Sequence, residues 1–488
     1  MNDSTFRLTK SLLLSAYQCP KRLWLEINSP QLRDSDPSGE ALARIGTEVG
    51  ELARSLYPGG ELIGHIADPE EAVSETEALL RQSGPVLLYE AAFQFGPYLV
   101  RLDILRRDEC GRYSLIEVKA STSVKDEHLI DCAIQVEVLE RCGLELDSIA
   151  LAHIDSGFIY PGSENYVGLI IEQDITPETK ALADVISSLC EEAETIPTYN
   201  QPPNLEMGEH CRKPYPCPFS STCAVNRVEF PLSILPLGKK RQLELAHEGY
   251  DDIRYIPAGV LEDGRAEWIR QVTVRGEGDL KPEAKETLQN LKWPRYFLDF
   301  ETIAPAIPIW AETRPFEAWP FQWSCHVETS GGLLEHQEFL ADGNDNPSRA
   351  CAESLLEGLG TEGPIFMYSP YERTIIKKLV LNFPDLEDGL AALLGRLVDL
   401  LPITRANYYH PEMRGSWSIK KVLPTLGVDL DYSKLEGISD GLGASEGFRE
   451  MLSTPLSERK ELLRRELLEY CRLDTLAMVE LAKYLSQE

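Results

Sequence analysis

The sequence predicts a mixed α/β chain of two large domains joined by a small helical connector. Three observations carry this. Strand-like runs alternate with helical stretches in both halves, which is the pattern of sheets covered by helices. A Pro-rich stretch, "IPTYNQPPNLEM" (196–207), breaks the first pattern. A new apolar strand opens the second pattern at "KWPRYFLDFETI" (292–303). The expected boundaries are 1–225, 226–290 and 291–488.

The opening "MNDSTFRLTKSLLLSAYQCPKRLWLE" reads as a helix entered through Thr9 or Ser11, and lacks the layout of a signal peptide. No run of ~18 apolar residues occurs, so no membrane span is expected and the cytoplasm is the default compartment. In that reducing setting, the eleven cysteines read as core thiols or ligands. The net charge of −31 argues against a protein that coats DNA by charge. It fits an enzyme whose carboxylates hold divalent cations, and equally a chain with a basic partner.

In "YLVRLDILRRDECGRYSLIEVKAST" (98–122), two β-like runs flank a turn of hairpin composition. Glu117 and Lys119 are two apart on one strand and share a face, and the hairpin brings Asp103 beside them. Charges converging there are costly unless paired or metal-bound. Carboxylate oxygens and water suit Mg²⁺ or Mn²⁺. A second E-x-K, Glu283-Ala-Lys285, reads as a solvated helix.

The Asp, turn, E-x-K order resembles the PD-(D/E)XK nuclease core, in its RecB-like branch. The resemblance extends to a Gly-rich helix at 43–60, to Glu90 before the Asp strand, and to Gln135 on the following helix. It implies a restriction-endonuclease-like fold, with Asp103, Glu117, Lys119 and Gln135 as catalytic residues and Asp103 and Glu117 on the metal. Two positions depart from the pattern. Gly50, with Glu48 and Glu51 nearby, stands where many relatives have a metal-binding His, and Leu139 stands where they have Tyr.

"HCRKPYPCPFSSTC" (210–223) holds Cys211, Cys217 and Cys223. Iron–sulfur members of the resembled branch place one cysteine before the nuclease core and three after it. That implies a quartet with Cys19 of "YQCPKRLWLE" and a 4Fe–4S cluster. Zinc is the alternative ion, and the neighbouring His210 is an alternative ligand.

"RYFLDFETI" (295–303) places Asp299 and Glu301 on one strand face, with Leu298 and Phe300 on the other. In the helical "RELLEYCRLDTLAMVELAKYL" (465–485), Tyr470 and Asp474 are four apart and share a face. The strand, turn and helix of "GPIFMYSPYERTIIKKL" (363–379) offer Glu372. This order resembles DEDD exonucleases of the RNase H-like fold, in the Tyr-marked DEDDy subclass. The resemblance implies a 3′–5′ exonuclease, with Asp299, Glu301, Glu372 and Asp474 around two metal ions and Tyr470 orienting the attacking water. Asp399 in "RLVDLLP" and the segment "GSWSIKKVLPTL" (415–426) also match what such domains carry.

The whole chain thus resembles an uncharacterised bacterial family that fuses the two nuclease domains. The expected substrate is single-stranded DNA or duplex ends, with RNA as a second candidate. An assembly subunit with one or both sites inactive is the competing reading. No G-x-x-x-x-G-K-[ST] occurs, so any motor would be a helicase or other ATPase partner, or a defence-system component. The connector's "LPLGKKRQLELAHEGYDDI" is similar to helix-hairpin-helix DNA-binding elements. Its Lys239-Lys240-Arg241 also reads as a solvated helix start.

Overall fold

The computed structural model describes residues 6–487 other than 36, 65–67, 225–227, 431, 436 and 456. The expected boundary at 225/226 lies outside the described residues. The chain forms two compact units, Met1–Asn226 with Pro305–Phe316, and Arg227–Ala304 with Glu317–Glu488. Both are mixed α/β. No described helix is long and apolar enough to cross a membrane.

Unit 1 is built on a seven-stranded sheet of β1 (Leu8–Thr9), β2 (Glu61–Leu62), β3 (Val86–Phe95), β4 (Tyr98–Arg107), β5 (Tyr113–Lys119), β6 (Leu146–Ile154) and β7 (Ile170–Asp174). The order is β2-β3-β4-β5-β6-β7, with β1 added to β4. β3, β4 and β5 form an antiparallel meander. The Asp126–Arg141 helix then crosses over to place β6 parallel to β5. Its apolar positions, such as Ile134 and Val138, join Leu13 and Leu102 in the core. The hairpin turn closes because the Asp108 carboxylate accepts from the Cys110 and Arg112 amides.

One edge of β4 is shared between two partners. β5 takes Ile104 to Arg107, and β1 takes Tyr98 and Leu99. Asp103 falls in the interval between them. There the Asp103 side chain accepts from the Val118 amide at 2.7 Å, in place of a backbone ladder bond.

Unit 2 contains β8 (Asp279–Leu280), β9 (Arg295–Ile303), β10 (Trp319–Glu328), β11 (Leu334–Leu340), β12 (Ile365–Met367), β13 (Leu397–Asp399) and β14 (Tyr408–Tyr409). Five of these form the main sheet, in the order β11-β10-β9-β12-β13. β10 runs antiparallel to β9, while β12 runs parallel to it. Leu298 and Phe300 pack against Cys351, Leu355 and Ile376 of two covering helices. Phe297 points to the opposite face and packs in the core that includes Met478 and Leu481 of the Glu458–Leu485 helix.

The sequence reading differs from this organisation in two places. The 226–290 segment is not a free-standing connector. Its Leu245, Ile269 and Leu288 share a core cluster with Phe297 and Met478. Its charge-rich composition conceals apolar positions that only tertiary contact reveals. Residues 305–316, assigned to the last domain by sequence, belong to unit 1. Ala306 packs with Val49, Ile154 and Leu169, and Tyr160 and Glu312/Thr313 exchange backbone hydrogen bonds.

Candidate functional site

In unit 1, Asp103, Glu117, Lys119 and Gln135 come together with two residues the sequence reading did not name. Lys119 Nζ donates to Glu117 Oε1 at 2.6 Å and to Asp131 Oδ2 at 2.5 Å. Lys10 Nζ donates to the same Glu117 Oε1 at 2.8 Å and lies 3.4 Å from Asp131 Oδ1. Gln135 Nε2 donates to Glu117 Oε2 at 2.8 Å. Asp131 carried a usable signal, since it lies one helical turn before Gln135 on the same face. Lys10 carried none, being far from the motif in sequence.

These ion pairs separate the protonation behaviour of the three acids. Burial opposes ionisation of Glu117, but Lys10 and Lys119 outweigh it and hold its pKa below the usual carboxylate range. Asp131 is pushed up by burial and by the charge on Glu117. Asp103 is raised to about 7, by burial first and Glu117 second. His128 is lowered to about 4 by burial and by Lys119, so it stays neutral. Glu90, opposite Asp103 on β3, has φ +58°, a conformation costing roughly 1–2 kcal/mol for a side-chain-bearing residue. Its carboxylate accepts from Arg54 at 3.4 Å. A Cβ at Gly50 would meet nothing within 4 Å, so the missing His leaves open space there.

The four cysteines of the expected quartet are free thiols, and they lie near one another. Cys19 is raised by burial and then, more weakly, by the charges of Cys211 and Cys223. Cys217 is raised by burial and feels Cys19 and Cys211. Gln18 ties the two chain segments together, donating to the His210 and Tyr215 carbonyls at 2.6 and 2.7 Å.

In unit 2, Asp299, Glu301, Glu372, Tyr470 and Asp474 line one cavity of about 270 Å³. β9 supplies the first two, and the first turn of the Tyr371–Asn382 helix supplies Glu372. The Glu458–Leu485 helix supplies Tyr470 and Asp474. Oxygens of Asp299 and Glu301 and the thiol of Cys471 approach within 4.8 Å of one another. Glu301, Glu372 and Asp474 are buried. Among the described residues, Glu372 Oε2 finds no hydrogen-bond partner.

Two residues absent from the sequence reading complete this site. Tyr432 Oη donates to Asp474 Oδ1 at 2.5 Å. Lys420 Nζ donates to the Ser439 carbonyl at 2.6 Å and to Tyr470 Oη at 3.4 Å. Lys420 lies within the quoted 415–426 segment, but nothing local distinguishes it from Lys421. Asp399, in contrast, caps the Leu400–Asn407 helix by accepting from the Leu401 amide.

The electrostatics of this site are one-sided. Two like charges 4 Å apart repel by about 4 kcal/mol at an effective dielectric of 20, and the acids here face one another. Asp299 is raised well above its ordinary value by burial and by Asp474, Glu372 and Glu301. Glu301 is raised to about 8 by burial and then Asp474. Glu372 is raised to about 7, chiefly by burial. Asp474 is also raised by burial, against the pull of Tyr432, Lys420 and Tyr470.

A family described as "Domain of unknown function (DUF2779)" matches residues 296–418. That range holds Asp299, Glu301 and Glu372 and ends before Tyr470 and Asp474. No curated protein matches the chain. A solved chain described as "Crystal structure of SSO0001" is similar at 19% identity, over 41% of this chain and 79% of that one, with a TM-score of 0.18.

Proposed function

We propose that the protein is a metal-dependent nuclease, with a 3′–5′ exonuclease site in unit 2 and a PD-(D/E)XK-type site in unit 1. The observation that carries the reading is the unit 2 cluster: four carboxylates converge on one cavity, with Lys420 as their nearby ammonium. A structural ion-pair network would hold comparable numbers of each sign. The five-strand order, with β10 antiparallel and the acids on central β9, supports an RNase H-like assignment. The sheet of unit 1, opening between β4 and β5 at Asp103, supports the restriction-endonuclease-like one.

The donor set of unit 2 fits Mg²⁺ or Mn²⁺, which take carboxylate oxygens and water. Glu372 Oε2, without a hydrogen-bond partner among the described residues, offers an oxygen for such an ion. Asp299, Glu301, Glu372 and Asp474 would hold the ions. When bound, these supply charge stabilisation to the attacking and leaving oxygens of a phosphodiester. Tyr432 fixes the rotamer of Asp474 through its hydroxyl. Tyr470, which accepts from Lys420 and lines the same cavity, would orient a water there.

In unit 1, Asp103 and Glu117 would hold a divalent ion. The thiols of Cys19, Cys211, Cys217 and Cys223 fit a 4Fe–4S cluster, as free, neighbouring sulfurs joining the two ends of the unit. Its role would be structural. Iron content and visible absorption of anaerobically purified protein test this; colourless, zinc-loaded protein refutes it.

The activity is tested with labelled single- and double-stranded DNA, and RNA, on Asp299→Asn and Asp103→Asn chains. The first substitution is expected to abolish 3′-end trimming, and chelator to abolish all cleavage. Full degradation in excess EDTA would overturn the reading. A second reading, in which unit 1 is a catalytically silent binding or assembly module, is favoured by its two ammoniums. It holds if Asp103→Asn leaves every cleavage unchanged.

A further inference from the structure

Lys10 is fixed in place by backbone, not by its side chain alone. β1 pairs in parallel with β4, Leu8 with Tyr98 and Thr9 with Leu99, and the Leu8 amide donates to the Pro97 carbonyl at 2.8 Å. Thr9 then caps the Lys10–Gln18 helix. Lys10 is therefore the first residue after a strand hydrogen-bonded to the Asp103 strand. From there its ammonium reaches Glu117 Oε1 and Asp131 Oδ1. The Glu117 and Asp131 side chains are 1% and 5% exposed, against 22% for that of Lys10.

The formal charges of the two clusters are informative side by side. Unit 2 sets four carboxylates against Lys420, a charge of −3 that two divalent ions would bring to +1. Unit 1 sets Asp103, Glu117 and Asp131 against Lys10 and Lys119, a charge of −1 that one divalent ion would bring to +1. A second ion in unit 1 would need the oxygens of Glu117 and Asp131 that the Lys10 ammonium already occupies.

We propose that Lys10 is a built-in cation of the unit 1 site: its ammonium takes the place between Glu117 and Asp131, so the site binds a single divalent ion at Asp103 and Glu117. This rests on the reading of unit 1 as a metal site. Lys10 then acts through its charge, occupying the Glu117 and Asp131 oxygens that a second ion would need.

The test counts Mn²⁺ bound to the full chain by electron paramagnetic resonance of the free ion. Asp299→Asn and Asp474→Asn silence unit 2, and the ions lost on adding Asp103→Asn are assigned to unit 1. One such ion is expected with Lys10 present. Lys10→Met, close in shape and uncharged, is expected to bind a second ion or to bind the first at least tenfold more tightly. Lys10→Arg is expected to stay at one. Two ions of similar affinity with Lys10 present would overturn the inference, and this count needs no Lys10 variant to fold. A Lys10→Met chain matching the parent in number and affinity would overturn it too. Absence of any Asp103-dependent ion would instead remove the reading of unit 1 as a metal site, and the inference with it.

Discussion

The Glu117 cluster and the Asp299 cluster are made of similar parts, yet they solve the cost of buried charge differently. At Glu117 the chain supplies its own cations, Lys10 and Lys119 at 2.6–2.8 Å. At Asp299 the acids mostly face one another, and their pKa values rise. A site that is neutralised internally stabilises the fold without a ligand. A site that is not must be strained until protons or metal ions arrive. The same residue types can therefore make one unit stable without metal and the other dependent on it.

The largest effect that tests this contrast is expected from Lys119→Ala. It leaves Glu117 and Asp131 with one ammonium in a buried setting, and breaking such pairs costs about 3–5 kcal/mol. Urea unfolding should show the loss in the unit 1 transition. A change below ~1 kcal/mol would mean the ion pairs are solvated and the contrast is false.

Asp474→Asn should act in two opposite directions. Activity at 3′ ends should fall by more than the roughly 10–100-fold that outer-shell metal partners carry. Metal-free unit 2 should become more stable, because one of the repelling charges is gone. A variant that loses stability in chelator would show that the contacts Tyr432 and Lys420 make with Asp474 outweigh the repulsion.

A pH series sharpens the same point. Carboxyls raised in the fold stabilise it when protonated, so their contribution is complete below the ordinary Glu value of 4.5. It is lost as pH rises through about 7 for Glu372 and about 8 for Glu301. Metal-free unit 2 should therefore melt progressively lower across that window, and Mn²⁺ should restore it most at the alkaline end. A flat profile in chelator would break the comparison. The smallest effect is expected from Tyr470→Phe: about a tenfold loss in kcat, equivalent to ~1.4 kcal/mol, with Mn²⁺ affinity unchanged.

Which parts were legible in the sequence follows from distance along the chain. Glu117 with Lys119, and Asp299 with Glu301, are two apart on strands; Tyr470 and Asp474 are four apart on a helix. Each pair announces a shared face. The mixed α/β class was readable for the same reason, from local periodicity. Lys10 and Tyr432 reach their partners across 107 and 42 residues, and no local period encodes that. The 226–290 segment was read as separate because its apolar residues, Leu245 and Ile269 among them, are scattered among charges. Their burial depends on Phe297 and the last helix, which are distant in sequence.

The hydrogen bonds from Gln18 to the His210 and Tyr215 carbonyls span 192 and 197 residues. During synthesis, Lys10 can meet Glu117 and Asp131 once the chain has passed residue 131, whereas Gln18 waits until it has passed residue 215. Contacts of such high sequence separation form slowly, because loop closure precedes any reward from them. The Gln18 contacts are thus expected to form late in the synthesis of unit 1. Any cofactor joining its two ends could be inserted only at the close, which makes the timing of synthesis part of how this unit acquires its final form.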